Sequence, residues 1–541
     1  MTLRLVLAAA FLTLAATATR AADLPPADLP VERVVDQLID APIKSANVTP
    51  AVQLDDAAFI RRVTLDLVGR IPTPAETDAY VKSTDAQKRA KLIDRLIASP
   101  AFARHQAAMF EVMFSPDLLA RRGGGALGDY MTSAMKENRP WDQIFRELML
   151  PDEADPKMKG ASDFLKQRLT DTDKLTNDVS VAFFGVNVSC AQCHDHPLVK
   201  DWKQDHFYGM KSFLSRTYDA GGFIGERSAG LVKFKPNKGA ERQAKLMFLT
   251  GTEAKTDTLR DLTKEEQQAE KVAMDKSKAG KTPPPKPSFS ARGQLVEIAL
   301  KKENNEFFSR SIVNRMWHRF YGLGLVTPLD QMHSENPPSH PELLAWLARD
   351  TATHGYDLKR LIRGIVMSQA YSRSSKYDTE APPPLTLFAV GRLKPLTPMQ
   401  LATSLKIAAA DPAYFEGKDD EIEKRLEQLE QSARGFASLI AQPNDNFQIG
   451  VGEALLFSNG DRLVKEFLTD GGNTLLGKLK TEKDAKVIVT QLVRSAYGRS
   501  PTDRELQALT AFVEKRADRP AEANRQILWI LVTASEFRFN Y

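Results

Sequence analysis

Apolar residues recur at helical spacing along the first third of the chain. Phe59, Val63 and Leu67 follow one another at intervals of four residues, which places them on one face of a helix. Gly69 comes shortly afterwards, and glycine commonly marks the end of a helix. Residues 73–76, Thr-Pro-Ala-Glu, have the pattern of a capping box with proline in the first turn. This part of the chain is therefore predicted to be a series of amphipathic helices.

The pattern changes in the middle of the chain and then returns to helices. Residues 216–260 alternate Gly-rich turns with short apolar runs, which predicts a small β insertion. Residues 261–290 are dominated by Lys, Glu, Gln and Pro, a composition typical of an exposed low-complexity linker. Thr397 and Thr502 each begin a further capping pattern, with Gln or Glu three residues later.

These patterns predict a mainly α fold of two helical domains, joined through the small β insertion and the Pro/Lys-rich linker. We place the first helical domain at residues 30–215 and the second at residues 291–541. With 541 residues, the chain is too long for a single hydrophobic core of ordinary size. Hydrophobic residues make up 42% and charged residues 26%, which fits a globular protein and excludes a disordered one.

The first 21 residues have the organisation of a secretory signal peptide. Arg4 supplies the positive start, residues 5–18 form a short apolar run, and small residues precede a cleavage point after Ala21 or Ala22. The run is too short for a comfortable transmembrane helix, and no later segment reaches about 20 apolar residues. We therefore expect an extracytoplasmic protein, periplasmic or secreted, with no integral membrane segment after signal cleavage.

The charge distribution gives no support to a nucleic-acid partner. The formal net charge is only +5, and Lys and Arg are scattered among acidic neighbours. No nucleophile-elbow pattern G-x-S-x-G occurs, and Ser339 and His340 are more simply explained as the start of a helix with Pro341 in its first turn. No hydrolase or transferase motif is present, so enzymatic activity is left open.

One short segment concentrates the chemistry of the chain. The only two cysteines lie three residues apart, and a histidine follows the second, in the sequence Cys-Ala-Gln-Cys-His at residues 190–194. This spacing is typical of covalent haem attachment, in which both thiols add to the vinyl groups of one porphyrin. Cys190 and Cys193 would be the thioether anchors and His194 the proximal iron ligand. Export agrees with this hypothesis, because c-type haem is attached outside the bacterial cytoplasm.

Other chemistries use the same residues. Cys190, Cys193, His196 and His206 could supply four ligands to a structural zinc ion, with His194 as a substitute for His196. Alternatively, the two cysteines could form a redox-active dithiol, with His194 lowering a thiol pKa, or a purely structural disulfide.

A haem iron would also need a ligand on its distal face. His206 and Met210 are far enough along the chain to reach that face. Candidates from the C-terminal domain are Met316, His318, Met332 and His333. Asp195 and His196 could hydrogen-bond around the proximal histidine, or could simply form the turn that follows the motif.

Several longer segments together resemble a known group of proteins. They are residues 59–72 (FIRRVTLDLVGRIP), 190–197 (CAQCHDHP), 313–317 (VNRMW), 337–344 (PPSHPELL) and 535–540 (SEFRFN). The chain resembles the secreted planctomycete-type proteins that pair a cytochrome-c-like domain of unknown function (PSCyt type) with a planctomycete-specific C-terminal domain of unknown function (PSD type). The resemblance implies that residues 30–215 are the cytochrome-like domain and residues 291–541 the C-terminal domain.

The expected function combines these observations. We expect one c-type haem that serves electron transfer or redox support, with a redox or other extracytoplasmic protein as partner. Larger relatives often carry a second attachment motif in an additional domain, and two cysteines allow only one motif here. The alternative is a non-redox binding or scaffold protein in which the same cysteines hold zinc or form a disulfide.

Overall fold

A computed structural model describes residues 24–114, 125–237, 239–378, 381–443 and 450–541. Over these ranges the fold is mainly helical, and its strands form only small two-stranded sheets, so the predicted fold class is confirmed. The predicted signal peptide, residues 1–21, lies outside the described residues.

Ten helices precede residues 216–290, which we call the middle segment. They are α1 (Val31–Ser45), α2 (Asp56–Val68), α3 (Pro74–Lys82), α4 (Lys88–Ala98), α5 (Pro100–Phe114), α6 (Ala126–Lys136), α7 (Trp141–Met149), α8 (Asp163–Lys166), α9 (Thr172–Phe184) and α10 (Gln204–Leu214). Gly69, with φ at 75°, ends α2 in the left-handed conformation that glycine adopts without strain. Thr73 and Glu76 form the predicted capping box at the start of α3.

The middle segment contains short strands and one helix. Strands β1 (Thr217–Asp219) and β2 (Ile224–Glu226) pair antiparallel, as do β3 (Lys233–Phe234) and β4 (Arg242–Gln243). The predicted linker contains helix α11 (Lys264–Gly280), which starts at a capping box formed by Thr263 and Glu266. The Arg227 guanidinium ties α11 to the strands through two hydrogen bonds to Glu270 Oε1 and one to Oε2, at 2.7 to 3.0 Å.

The remaining elements return to helices. They are α12 (Ala291–Leu300), α13 (Glu306–Tyr321), α14 (Pro341–Thr353), α15 (Leu358–Met367), β5 (Lys394–Pro395), α16 (Pro398–Ala409), α17 (Asp419–Ala437), α18 (Val451–Asn459), α19 (Asp461–Phe467), α20 (Leu475–Leu479), α21 (Ala485–Tyr497), α22 (Asp503–Lys515), α23 (Pro520–Thr533), α24 (Ser535–Arg538) and β6 (Phe539–Asn540). Thr397 and Thr502 cap α16 and α22 as predicted. None of the helices in the described ranges combines the length and apolar character that a bilayer crossing demands.

Two large hydrophobic cores organise the described part of the molecule, and a third, small cluster consists of Val232, Phe234 and Ala244. The larger core takes residues from both sides of the middle segment, from Val31 near the start to Ala389. The smaller core is formed mainly by α16 to α24, together with Leu65 and Ile71 from the first helical region. The larger core is therefore continuous across the position of the predicted linker.

Helix α2 lies between the two cores. Every residue from 59 to 68 is buried, and Leu65 belongs to the smaller core while Val63 and Leu67 belong to the larger one. Within this helix, Asp66 accepts hydrogen bonds from Lys394 Nζ at 2.7 Å, Tyr371 Oη at 2.7 Å and Asn540 Nδ2 at 2.8 Å. The charge on Asp66 is thus satisfied by three elements of the C-terminal half.

Candidate functional site

The Cys-Ala-Gln-Cys-His segment lies in the loop between α9 and α10. Helix α9 ends at Gly185, and the first cysteine falls in a single 3-10 turn, Ser189–Gln192. Asn177 on α9 fixes the start of this turn, because its Oδ1 accepts the backbone N–H groups of Val188 at 3.0 Å and Ser189 at 3.1 Å. We call residues 185–204 the cysteine–histidine loop.

The two residues between the cysteines anchor the loop to the protein. Ala191 is buried, and Gln192 donates from Nε2 to Asp173 Oδ2 at 2.8 Å. The carbonyl of Gln192 accepts hydrogen bonds from Gln204 Nε2 at 3.3 Å and from the Tyr208 hydroxyl at 3.2 Å. Their neighbours Cys190 and Cys193 are both exposed and carry free thiols, so the structure contains no disulfide between them.

The imidazole of His194 presents one free nitrogen to the outside. The side chain is exposed, and its Nδ1 lies 2.8 Å from the carbonyl oxygen of Asp195. A carbonyl can only accept, so Nδ1 carries the proton and the lone pair of the neutral ring is on Nε2. This is the protonation state that a histidine needs to bind a metal through Nε2.

His196 and His206 have the opposite arrangement. His196 Nδ1 accepts the backbone N–H groups of Leu198 at 3.2 Å and Val199 at 3.0 Å. His206 Nδ1 accepts the N–H of Lys203 at 3.1 Å, and burial lowers the pKa of His206, which keeps the ring neutral. Both neutral rings therefore carry their proton on Nε2 and use the lone pair of Nδ1 internally.

Asp195 and His196 have different roles in the turn after the motif. Asp195 gives its carbonyl oxygen to the His194 ring, while its side-chain Oδ1 accepts the N–H of Gln204 at the start of α10. His196 closes the turn through its ring and donates its own N–H to the carbonyl of Trp202 at 2.8 Å. The contact with the His194 ring thus comes from Asp195, and His196 forms the turn.

The predicted distal ligands are dispersed. Met210 is fully buried in the larger core, which also contains Met316 and Met332. His318 lies on α13, and His333 lies near His196 and Asp201 with its Nδ1 buried and without a hydrogen-bond partner. Burial lowers the pKa of His333.

The surroundings of the loop are relevant to both candidate cofactors, haem and zinc. Within the part of the chain that the structure describes, no three or more His, Cys, Asp and Glu side chains come together to hold a metal ion. Two surface cavities, of about 290 and 840 Å³, are lined by residues elsewhere, in 137–158 and 215–274. Because Cys190 and Cys193 are exposed, a group attached to their thiols would lie on the surface of the protein.

The motif alone did not identify the residues that shape the loop. Asn177, Asp173 and Tyr208 contact its backbone or side chains, and residues 330–334 contact both of its ends. Of these residues, Met332 and His333 were named from the sequence, as candidate distal ligands. The others have no distinctive spacing, because their contacts depend on how α9 and the C-terminal half pack.

Comparison with known proteins gives two family matches. Residues 34–219 match the model for PSCyt2, described as a protein of unknown function (DUF1549). Residues 291–435 match the model for PSD1, described as a protein of unknown function (DUF1553). No curated protein and no solved structure gave a significant match. The two matches occur in the order predicted from the motifs, and the chain therefore carries a PSCyt2 domain followed by a PSD1 domain, the pairing of the planctomycete-type proteins.

Proposed function

We propose that this protein is exported, binds one c-type haem through Cys190, Cys193 and His194, and transfers electrons to a protein partner outside the cytoplasm. The observation that carries the proposal is the pairing of two free, exposed thiols with a histidine whose Nε2 lone pair is unused. Such a haem would supply a one-electron redox couple whose potential depends on its axial ligand and on its exposure to water.

The donor set favours haem over zinc. Covalent haem attachment requires two thiols and one imidazole nitrogen, and these three groups are exposed and available. A four-ligand zinc site would require the lone pairs of two residues among His194, His196 and His206. The rings of His196 and His206 already use their Nδ1 lone pairs for backbone N–H groups, so a zinc ion would have to displace those bonds.

The attachment itself needs no residue beyond the motif. Each thiol would add across one vinyl double bond: its S–H bond and the C=C π bond would break, one S–C bond and one C–H bond would form, and no electron would be gained or lost. The hydrogen bond from His194 Nδ1 to the Asp195 carbonyl holds the ring and leaves Nε2 as the nitrogen that can bind iron. The anchored residues Ala191 and Gln192 keep Cys190 within the 3-10 turn and Cys193 directly after it.

The test is a visible spectrum and an intact mass of the full chain, exported by a host that attaches c-type haem. We expect a Soret band and a mass increase of one haem for the native sequence. Cys190→Ser and Cys193→Ser should each retain at most one thioether bond, and His194→Ala should lose the proximal ligation while both thiols remain. His354→Ala, at the end of α14, is the matched control and should leave the Soret band and the haem mass increment unchanged. A colourless protein of unmodified mass would refute the proposal.

A dithiol function is the second candidate, because both thiols are free and exposed within one turn. In that case the colourless protein would form a reversible Cys190–Cys193 disulfide with a measurable reduction potential. Metal analysis of the same sample would detect zinc, and His206→Ala would then lower the zinc content, a result that the haem proposal does not predict.

A further inference from the structure

A short segment of the PSD1 region lies against both ends of the cysteine–histidine loop. This segment, residues 330–334, follows α13 and precedes α14 in the chain. We call it the clamp segment. It belongs to the second matched family region, whereas the loop belongs to the first.

The clamp segment holds the loop on the side that precedes the cysteines. Asn187 donates its backbone N–H to the carbonyl of Asp330 at 2.8 Å and its Nδ2 to the Asp330 carboxylate at 3.0 Å. Met332 donates its backbone N–H to the carbonyl of Gly185 at 3.1 Å. Asn187 in turn accepts from the hydroxyl of Ser189 at 2.6 Å, so the orientation set by Asp330 reaches the residue next to Cys190.

The clamp segment also holds the loop after the histidine. Ser334 donates its backbone N–H to Asp201 Oδ2 at 2.7 Å and its hydroxyl to Asp201 Oδ1 at 2.9 Å. The next residue, Trp202, packs against Phe307 of the PSD1 region with ring centroids 5.7 Å apart. The carbonyl of Trp202 accepts the N–H of His196. The turn that follows His194 therefore depends on the position of residues 201 and 202.

We infer that the clamp segment positions the cysteine–histidine loop, so that the PSCyt2 and PSD1 regions build one redox site together. Asn187 and Asp201 are positioning residues, since neither supplies a thiol or the imidazole. The part of this inference that concerns the haem rests on the proposed function, while the part that concerns the loop does not.

Two variants and two matched controls test this inference in the full chain. Asp201→Ala removes both bonds to Ser334, and Ser334→Ala removes only the hydroxyl bond, which guards against a failure of the first variant to fold. Asp94→Ala is the control for the carboxylate. Asp94, on α4, accepts a hydrogen bond at 2.6 Å from Arg363 Nε, on α15, so this contact also joins the two regions but through other elements. Ser133→Ala is the control for the hydroxyl, because Ser133 donates to Glu137 at 3.1 Å within the first region.

The first measurement is amide hydrogen exchange of residues 186–204 in protein made without haem. We expect exchange of these amides to accelerate about tenfold in Asp201→Ala and by a smaller factor in Ser334→Ala, with no change in either control. The second measurement is the redox equilibrium of the haem-loaded protein, which we expect to change at least about threefold in Asp201→Ala, because a loosened loop admits water to the haem.

The outcomes distinguish the positioning role of the clamp segment from the proposed haem function. Unchanged exchange in Asp201→Ala and Ser334→Ala would overturn the positioning role, even if the native protein binds haem. Accelerated exchange with an unchanged redox equilibrium would overturn the claim that both regions build one redox site. If the native protein binds no haem, the proposed function fails, and the exchange data alone decide whether the clamp segment positions the loop.

Discussion

At the scale of single residues, charges buried between the two cores are the most sensitive positions. Asp66 accepts three hydrogen bonds in the interior, and its partner Lys394 is itself largely buried. Burial lowers the pKa of Lys394 despite the opposing effect of the Asp66 carboxylate. Removing one member of such a pair leaves the other as an uncompensated buried charge, which costs far more than the loss of an exposed pair.

We expect Asp66→Ala to lower the free energy of unfolding by about 3 to 5 kcal/mol. Lys394 and Tyr371 would then have no acceptor for the hydrogen bonds they now give to Asp66. The measurement is urea denaturation followed by circular dichroism. Asp94→Ala breaks the exposed Asp94–Arg363 pair and should cost less than about 1 kcal/mol. Equal losses in the two variants would contradict the importance we assign to burial.

Glu76 makes stability depend on acid pH. Burial alone would raise the pKa of this carboxyl, but the Arg70 guanidinium and the Thr73 N–H lower it from 4.5 to about 2. Because the pKa is lower in the folded state, this stabilisation is complete above pH 4.5 and is lost as the pH falls to about 2.

We expect the advantage of the native protein over Glu76→Gln to be roughly 3 kcal/mol near neutral pH and to vanish between pH 4.5 and 2. Glutamine can still occupy this position in a capping box, as Gln400 does in α16, so the variant removes mainly the charge. The unfolding free energies of both proteins, measured across this pH range, provide the check. A difference that stays constant with pH would exclude the ion pair as its cause.

The chemistry of the residues was only partly predictable from the sequence. The spacing of Cys190, Cys193 and His194 identified the candidate site, because a motif can be recognised from the order of residues without any knowledge of packing. The states of the histidine rings did not follow from spacing, since they depend on which backbone groups approach each nitrogen. His194 faces a carbonyl and His196 faces two N–H groups, although the two residues are only two positions apart.

At the scale of elements, helix starts carry much of the local specificity. Thr397 begins α16, accepts the Gln400 N–H at 3.3 Å and donates its own N–H to Gln400 Oε1 at 2.9 Å. Gln400 also donates from Nε2 to the carbonyl of Leu65, which connects this cap to α2. The cap therefore stabilises both the helix and its contact with the first region.

We expect Thr397→Ala to lower the free energy of unfolding by about 1 kcal/mol, because the Gln400 N–H loses its acceptor. Thr397→Ser keeps the hydroxyl and should restore most of the loss. The midpoints of urea denaturation for the three proteins give the comparison. A serine variant as unstable as the alanine variant would show that the methyl group, and not the cap, matters.

Capping patterns were also the most reliable sequence signal for elements. The boxes at Thr73, Thr397 and Thr502 predicted the starts of α3, α16 and α22. Helix α11 was not predicted, because its charged composition resembles that of a linker. Its own capping box, Thr263 with Glu266, was nevertheless present in the sequence and would have located its start.

At the scale of the whole molecule, the cores determine how the chain can be divided. Composition located the exposed segment at residues 261–290, but it does not record which helix faces meet. The larger core joins residues on both sides of that segment, such as Val31 and Leu361. A boundary in composition is therefore not a boundary in packing.

Cleavage within the middle segment should consequently leave the molecule assembled. We expect that a protease site inserted after Lys281, once cut, yields two fragments that elute together at the position of the intact chain in size-exclusion chromatography. The uncut insertion variant is the control for the elution position. Two fragments that elute separately as folded proteins would contradict a shared larger core.

The complete burial of residues 59–68 in α2 has a consequence for genetics. A helical segment without a solvent face tolerates few substitutions, and this one includes two arginines and an aspartate that would look catalytic in a mutational scan. The cysteine–histidine loop, by contrast, exposes its two cysteines and His194, and altering these would affect folding little. A screen for protein abundance would therefore highlight α2, whereas the loop would stand out in a screen for the redox phenotype that the proposed function predicts.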